Sequence, residues 1–336
     1  MPHPHLSVVI PAYDEEETLP LLVPRLRPVL DGLGATYEVV IVDDGSRDTT
    51  PVLLQRYRRE WPQLRVVRLR ANAGHQAALS AGLQLARGDW VASLDADLQD
   101  PPEVLADMLA AARGSAVDVV YGVRSDRSTD SAFKRITAGG YYRLMRRLVG
   151  SHVRAEAGDF RLMSRATVDT VNALPEHNRV LRLIVPALGF PSTEVPYRRE
   201  VRAAGQTKYP LSWMVRLTVD SLTGFSVTPL RLATWFGLGG AAATALLLAF
   251  AVLAFLSGRT VPGRTSTFVA VAAVGTVQLL SLGLLGEYVG RMYTQLQGRP
   301  SYHVAYDSLA GDEQASPGGT TGPDGTQPPT ATHPGE

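Results

Sequence analysis

Residues 90–100 read WVASLDADLQD, an apolar run that ends in three aspartates and a glutamine. A short apolar run with polar residues beyond it is typical of a buried β-strand. Asp95 and Asp97 are two residues apart, so in extended backbone they point to the same side. Such carboxylate pairs suit a hard divalent cation that keeps coordination positions for substrate oxygens. An isolated Asp-x-Asp is more often a solvated loop, but its place at a strand end favours a cation site.

Apolar runs of the same kind recur along the first 125 residues, and helical patterns separate them. The predicted strands are residues 6–11, 38–43, 64–69, 90–95 and 117–123. The predicted helices are residues 16–33, 49–60, 76–86 and 102–112. Alternation of nearly continuous apolar strands with helices is typical of a parallel sheet covered on both faces. The sequence therefore predicts an α/β fold with a Rossmann-like, mostly parallel sheet.

Polar clusters also follow the first two predicted strands, at residues 13–17 and 43–48. Ligands of parallel sheets bind beyond the carboxyl ends of the strands, so these clusters and residues 95–100 are expected to form one rim. An aspartate of the second cluster can accept a hydrogen bond from a ring N–H of a base. Tyr13 can border that base or pack on the sheet. The plainer alternative for the second cluster is helix capping, by Ser46 or Asp48.

Two apolar runs near the C-terminus, residues 232–256 and 268–289, are each long enough to cross about 30 Å of hydrocarbon. Glu287 is the only charged side chain in either run. The segment before them is amphipathic and is expected to lie on a membrane surface. The predicted organisation is a catalytic domain at 1–210, juxtamembrane interfacial helices at 211–231, a two-helix transmembrane hairpin at 232–290, a cytoplasmic segment at 291–310 and a disordered tail at 311–336.

Composition and missing motifs exclude several classes of protein. The formal net charge of +1 gives no basic field for nucleic acid, so no nucleic-acid partner is expected. The absence of cysteine excludes disulfide frameworks and thiolate metal sites. Neither a G-x-G-x-x-G after the first strand nor a G-x-x-x-x-G-K-[ST] occurs, which argues against dinucleotide-dependent dehydrogenases and P-loop phosphotransferases.

Seven segments, in this order, resemble glycosyltransferase family 2. Within that family they are similar to the polyprenyl-phosphate glycosyltransferases, which include bactoprenol glucosyltransferases and dolichol-phosphate mannose synthase. The segments are PAYDEEETL (11–19), VDDGSRDTT (42–50), LDADLQDPPE (94–103), GDFRLMSR (158–165), PEHNR (175–179), RAAGQTKYPL (202–211) and GEYVGRMY (286–293). The resemblance implies a GT-A catalytic fold, a metal-bound nucleotide sugar and two C-terminal spans.

The resemblance also implies a role for individual residues. Asp95 and Asp97 match the Asp-x-Asp that holds Mg²⁺ or Mn²⁺ on the donor diphosphate. The expected catalytic set is Asp95, Asp97, Gln99, Asp159 and Arg161, the last two near the transferred sugar. The expected nucleoside-binding edge is Pro11, Tyr13, Glu15, Asp43 and Asp44. The residues expected around the lipid phosphate and the donor diphosphate are Arg124, Lys134, Arg202 and Lys208.

The implied reaction is inverting transfer of one sugar from a nucleotide sugar, most simply UDP-glucose, to polyprenyl (undecaprenyl) phosphate. A phosphate monoester is mostly dianionic at neutral pH and needs no strong general base. GDP-mannose is the alternative donor. Asp14, Leu183 and the Gln206-Thr207 pair depart from common family residues and bear on the choice of donor.

We expect a multi-pass protein of the cell membrane, forming a homo-oligomer, with its catalytic domain in the cytoplasm because no signal-peptide pattern precedes it. Two other functions are possible. A processive polysaccharide synthase of the same fold would carry a Gln-x-x-Arg-Trp motif, which does not occur here. A non-catalytic membrane scaffold would have no need of a complete set of acidic strand ends.

Overall fold

The computed structural model describes residues 3–125, 157–176, 179–200, 228–258 and 264–310. Three residues expected near the acceptor, Lys134, Arg202 and Lys208, lie outside these ranges. The same holds for the predicted interfacial segment up to residue 227 and for the tail at 311–336. The sequence-based expectations for these parts stay predictions.

Eight strands form one sheet within the described residues. The strands are β1 (Leu6–Ala12), β2 (Tyr37–Asp43), β3 (Leu64–Leu69), β4 (Trp90–Ser93), β5 (Val119–Arg124), β6 (Ala157–Ser164), β7 (Ser192–Tyr197) and β8 (Val304–Asp307). Their order across the sheet is β7-β5-β6-β4-β1-β2-β3-β8. The five predicted strands are all present, and every predicted strand end lies within two residues of the observed one. The predicted strand 90–95 was too long, because β4 ends at Ser93 and the backbone then turns, reaching φ 57° at Leu98.

The sheet is mixed rather than purely parallel. Four adjacent strands, in the order β4-β1-β2-β3, run parallel to one another. β5 runs parallel to β7. β6 is antiparallel to both β4 and β5, and β8 is antiparallel to β3. The carboxyl ends of β1, β2 and β4 therefore meet at one edge, as predicted.

Helices cover both faces of this sheet. They are α1 (Leu19–Asp31), α2 (Thr50–Glu60), α3 (His75–Leu85), α4 (Val104–Gly114), α5 (Arg165–Ala173) and α6 (Leu181–Ala187). Alternation along β1 explains the layers: Val8 and Ile10 pack with α1, α2 and α4, whereas Val9 packs with α3, α5 and α6 on the other face. The predicted α/β architecture, with helices on both faces, is confirmed.

Two long helices follow in the C-terminal part: α7 (Thr228–Leu256) and α8 (Arg264–Leu296), which contact each other. They contain the two predicted apolar runs, and large apolar side chains such as Leu246, Phe250 and Leu279 are exposed. Among the described residues, one stretch, Ala273–Leu296, has the length and composition needed to cross a membrane, and none of it is buried.

After α8 the chain returns to the eight-stranded sheet. We call residues 302–308 the C-terminal strap. Within it, β8 pairs with β3, Ser308 Oγ accepts a hydrogen bond from Val66 N at 3.0 Å, and Asp307 forms a 2.6 Å ion pair with Arg65. The side chains of that pair are only 14% and 11% exposed, respectively. The segment at 291–310, predicted to be cytoplasmic, therefore includes the end of α8, which continues to Leu296, and the strap that belongs to the sheet.

Candidate active site

The loops after β1 and β2 are joined to each other by hydrogen bonds. Asp14 N donates to Ser46 Oγ at 3.0 Å, and Arg47 N donates to the Asp14 carboxylate at 2.8 Å. Gly45, in the loop after β2, has φ 71°. A Cβ at this position would lie 2.9 Å from the backbone of residues 71 and 72, so only glycine fits. These contacts fix the positions of the loops after β1 and β2, which form the predicted nucleoside-binding edge, relative to each other.

The predicted nucleoside-binding residues differ in what they can offer a ligand. Pro11 is buried within β1, whereas Tyr13 and Glu15 are half-buried beyond its end. Asp43 is buried; its Oδ1 accepts from Ser46 N at 2.8 Å. Among the described residues nothing donates a hydrogen bond to Asp43 Oδ2, which lies 3.2 Å from Arg68 Nε in an ion pair. Asp43 is thus held within the fold, with one carboxylate oxygen bonded to its own loop and the other paired with Arg68.

Asp44 has a different role from its neighbour. Its two carboxylate oxygens accept hydrogen bonds from Ala73 N at 2.7 Å and from Gly74 N at 2.9 Å. Gly74, at φ 94°, immediately precedes α3. Asp44 thus fixes the turn that delivers His75, the first residue of α3, to the rim.

The loop after β4 carries the predicted cation ligands. Asp95, Asp97 and Gln99 are half-buried, and Asp97 Oδ1 accepts from Gln99 N at 3.1 Å. Burial raises the pKa of Asp95 to about 6, and the nearby carboxylates of Asp159, Asp100 and Asp97 act in the same direction, whereas His75 opposes them. This loop therefore concentrates negative charge.

Asp159, at the start of β6, lies beside the same nitrogen of His75 as Asp95 does. His75 Nε2 is 3.6 Å from Asp95 Oδ1 and 3.5 Å from Asp159 Oδ2. Arg161 donates to Asp159 Oδ1 at 2.7 Å; Gln76 and Arg182 donate to Oδ2 at 3.2 Å and 3.3 Å. Burial alone would raise the pKa of Asp159, but His75 and the two arginines outweigh it and hold that pKa well below its usual range. Asp159 is therefore a permanently ionised anchor.

Arg161 lies behind Asp159 and does not face the rim. It is 1% exposed, and its guanidinium also donates to Leu181 O at 2.8 Å and Gly158 O at 3.1 Å. Its side chain holds Asp159 and the start of α6. Asp159 thus lies near the acidic loop, with Arg161 in a supporting position; the expectation that both residues lie near the transferred sugar stays a prediction.

Two arginines lie near the last residues of the acidic loop, Gln99 and Asp100. Asp100 is buried and accepts a hydrogen bond from the Tyr197 hydroxyl. Burial raises the pKa of Asp100, while that hydrogen bond and the charges of Arg124 and Arg199 oppose the rise. Arg199 also donates to Gln99 Oε1. Arg124 and Arg199 therefore lie close to the loop that carries Asp95 and Asp97.

Sequence reasoning missed His75, Gln76 and Arg199. The first two follow β3, which is a fourth parallel strand ending at the same edge, so the rule used for the other strand ends could have found them. Arg199 follows β7, whose parallel pairing with β5 depends on a contact between distant parts of the chain.

The donor set fits a divalent cation. Among the described residues no group of three or more histidines, aspartates and glutamates is arranged to enclose a metal ion. A pair of carboxylates at a solvent-open rim suits Mg²⁺, which commonly takes one or two carboxylates and completes its shell with substrate phosphates and water. Asp95 and Asp97 would hold such an ion.

Comparison with known proteins identifies the family. The pattern described as Glycosyl transferase family 2 matches residues 7–171, which include every rim residue from β1 to β6. The glycosyltransferase YkcC of Bacillus subtilis (strain 168) is 37% identical over 304 residues, covering 90% of this chain and 94% of that protein. The chain belongs to glycosyltransferase family 2.

Other relatives of this family 2 glycosyltransferase have more specific names. The SfII prophage-derived bactoprenol glucosyl transferase of Shigella flexneri is 36% identical over 300 residues, covering 89% of this chain and 97% of that protein. Among solved structures, glucosyl-3-phosphoglycerate synthase from Mycobacterium tuberculosis, in complex with Mn²⁺, UDP and glucosyl-3-phosphoglycerate, has a TM-score of 0.48 at 21% identity. That likeness covers 66% of this chain and 78% of the other.

Proposed function

We propose that this glycosyltransferase moves one sugar from a nucleotide sugar, most simply UDP-glucose, onto polyprenyl phosphate at a membrane surface, with inversion at the anomeric carbon. The observation that carries the proposal is the position of basic residues beside an acidic cation loop whose neighbouring buried carboxylates are already engaged. The names of the relatives, which cover nearly the whole chain, agree with a lipid-phosphate acceptor.

The engaged carboxylates bear on the nature of the acceptor. Asp44, Asp100 and Asp159 are bonded to backbone N–H groups, a tyrosine hydroxyl and arginines, respectively. A sugar hydroxyl acceptor would call for a carboxylate or imidazole positioned as general base, and the His75 imidazole is itself engaged, 3.6 Å from Asp95 and 3.5 Å from Asp159. A phosphate dianion is already a competent nucleophile and instead needs cationic side chains to offset its repulsion from the donor diphosphate. Arg124 and Arg199 are suited to that task.

The reaction is then a single displacement. A phosphate oxygen of the acceptor forms a bond to the anomeric carbon as the bond to the donor diphosphate breaks, and the nucleoside diphosphate departs with both bonding electrons. Tyr13 and Glu15, the half-buried part of the predicted nucleoside-binding edge, would meet the base, and Asp95 and Asp97 would hold the cation. The bound Mg²⁺ or Mn²⁺ would supply Lewis-acid stabilisation of the departing diphosphate.

The C-terminal strap supports a two-span hairpin. β8 pairs with β3 in the same sheet that carries the site, so residues on both sides of α7 and α8 lie on one side of any membrane. A single crossing by Ala273–Leu296 would separate β8 from β3. If α8 crosses, α7 must cross as well, which gives a multi-pass membrane protein with its catalytic domain on the nucleotide-sugar side. The expected homo-oligomer stays a prediction.

The test uses purified full-length protein in detergent with Mg²⁺ or Mn²⁺. Polyprenyl phosphate is compared with free polyprenol of the same chain length, each with radiolabelled UDP-glucose and GDP-mannose. We expect organic-extractable label with polyprenyl phosphate and UDP-glucose. Label with GDP-mannose instead would change the donor only. Equal labelling of polyprenol and polyprenyl phosphate would show that the phosphate is not the nucleophile.

A further inference from the structure

Arg25, on α1, joins two parts of the chain that flank the site. Its Nε and Nη2 donate to the two carboxylate oxygens of Glu103 at 2.8 Å and 2.9 Å. Its Nη1 and Nη2 donate to both oxygens of Glu200 at 2.7 Å. The guanidinium thus uses two edges for two carboxylates, a geometry that its planar fork allows and that a lysine ammonium cannot reproduce.

The two glutamates belong to segments with different roles. Glu103 immediately precedes α4 and follows the acidic loop that carries Asp97. Glu200 follows β7, and its backbone N donates to Gln99 O at 3.0 Å. Arg199 donates to the Gln99 side chain as well. Residues 197–200 are therefore fastened to the cation loop from two sides, by direct contacts at Gln99 and by the Arg25 fork behind them.

Arg199, the residue before Glu200, matters for the acceptor. Under the proposed function, Arg199 and Arg124 offset the repulsion between the acceptor phosphate and the donor diphosphate. We propose that Arg25 is a positioning residue that, through Glu200, aligns Arg199 with the cation loop. The proposal rests on the proposed function, because it assumes that the acceptor phosphate binds beside the cation loop. Arg25 contacts Glu103 and Glu200 and acts through them on Arg199.

The ion pairs of Arg25 should contribute little to the stability of the fold, which distinguishes a positioning role from a purely structural one. The side chains of Arg25, Glu103 and Glu200 are 30%, 51% and 45% exposed, so the ion pairs are solvent-screened and contribute little to overall stability. Misalignment of reacting groups is costly even when the fold is intact, because the nucleophile must stand in line with the bond that breaks.

The test compares Arg25→Ala with Arg27→Ala. Arg27 is on the same helix, is 44% exposed and forms an ion pair with Asp31 at 3.7 Å, which makes it a matched control. We expect Arg25→Ala to lower kcat/KM for polyprenyl phosphate by roughly tenfold or more. The donor KM and the slow hydrolysis of the donor in the absence of acceptor should stay at the Arg27→Ala values. Glu200→Gln should reproduce the defect, and combining it with Arg25→Ala should add little, since both remove one contact.

The outcomes separate the two claims. Wild-type protein that transfers sugar, with Arg25→Ala and Arg27→Ala equal in acceptor kcat/KM, would overturn the role of Arg25 alone. An equal loss of donor hydrolysis and of transfer in Arg25→Ala would overturn it too, because that result indicates general damage. A wild-type protein without transfer to polyprenyl phosphate would overturn the proposed function and the positioning role together.

Discussion

The end of β4 and the start of β6 each place an aspartate beside the same histidine, yet the pKa values of the two carboxylates are shifted in opposite directions. His75 Nε2 lies 3.6 Å from Asp95 and 3.5 Å from Asp159. The pKa of Asp95 is raised to about 6, first by burial and then by neighbouring carboxylates. The pKa of Asp159 is held well below its usual range, because His75, Arg161 and Arg182 outweigh burial.

The difference shows which carboxylate still needs a cation. Asp159 has two guanidinium partners and an amide donor within the fold, so its charge is balanced by the protein. Asp95 has His75 beside it but also the like charges of Asp159, Asp100 and Asp97, a state that burial makes costly until a cation binds. Under the proposed function, a cation on the donor diphosphate would relieve this imbalance at Asp95, whereas the charge of Asp159 is already balanced by the protein.

The largest expected effect is on catalysis and concerns the β4 end. Asp97→Asn, and likewise Asp95→Asn, should reduce sugar transfer by about a thousandfold or more, since loss of the cation forfeits several kcal/mol of transition-state stabilisation. Thermal unfolding should stay near wild type, because the change is isosteric. Initial rates with and without EDTA provide the check. Transfer that persists in Asp97→Asn, or that ignores EDTA, would remove the cation from the account.

A change at Asp159, at the start of β6, should instead act mainly on the stability of the fold. Asp159→Asn leaves Arg161, which is 1% exposed, without its counter-charge. Breaking a buried ion pair from one side costs about 3–5 kcal/mol, so urea unfolding should show a loss of that order. Asp169→Asn, at an aspartate that is 63% exposed and paired with Arg165, is the control and should change little. A loss no larger than the control's would mean that Asp159 is not the anchor.

The pH dependence should also divide the two sites. A cation binds the ionised form of Asp95, so its apparent affinity should be constant above pH 6 and fall by up to about tenfold per unit below it. In the cation-free protein, the raised pKa of Asp95 makes the contribution of this residue to stability largest at low pH, and that contribution is lost as pH rises through about 6. Calorimetric titration of Mn²⁺ with UDP between pH 5 and 8 measures the first effect. A flat profile would contradict it.

The smallest effect should come from the exposed partner of Asp159. Arg182 is 43% exposed and lies 3.3 Å from Asp159, so solvent screens the pair. Arg182→Ala should therefore destabilise the protein by less than about 1 kcal/mol. Chemical denaturation beside Asp159→Asn tests this ranking. A loss equal to that of Asp159→Asn would assign the anchoring role to Arg182 and not to Arg161.

The sequence predicted the parts of this site that depend on local pattern. Strands β1, β2 and β4 are near-continuous apolar runs, so their ends, and with them Asp43, Asp95 and Asp97, could be assigned to one rim. β6 and β8 could not be assigned, because their antiparallel positions depend on pairing between distant segments. The resemblance gave Arg161 a place near the sugar, but residue identity does not reveal that its side chain is buried behind Asp159.

The contrast between Asp44 and Asp43 shows the same limit. Both stand at the end of β2 and look equivalent in sequence, yet Asp44 is bonded through both oxygens to backbone N–H groups of the turn before α3. That turn lies about thirty residues further along the chain, so only the folded structure shows that Asp44 fixes this turn, whereas Asp43 is bonded to its own loop and paired with Arg68.

Electron paramagnetic resonance of Mn²⁺ binding in the presence of UDP tests most directly that the cation belongs to Asp95 and Asp97 and not to Asp159. We predict one bound Mn²⁺ per chain in the wild type and in Asp159→Asn under conditions where that variant is folded. Asp95→Asn and Asp97→Asn should bind none at the same concentrations. Wild-type Mn²⁺ binding in Asp95→Asn, or its loss only in Asp159→Asn, would contradict this account.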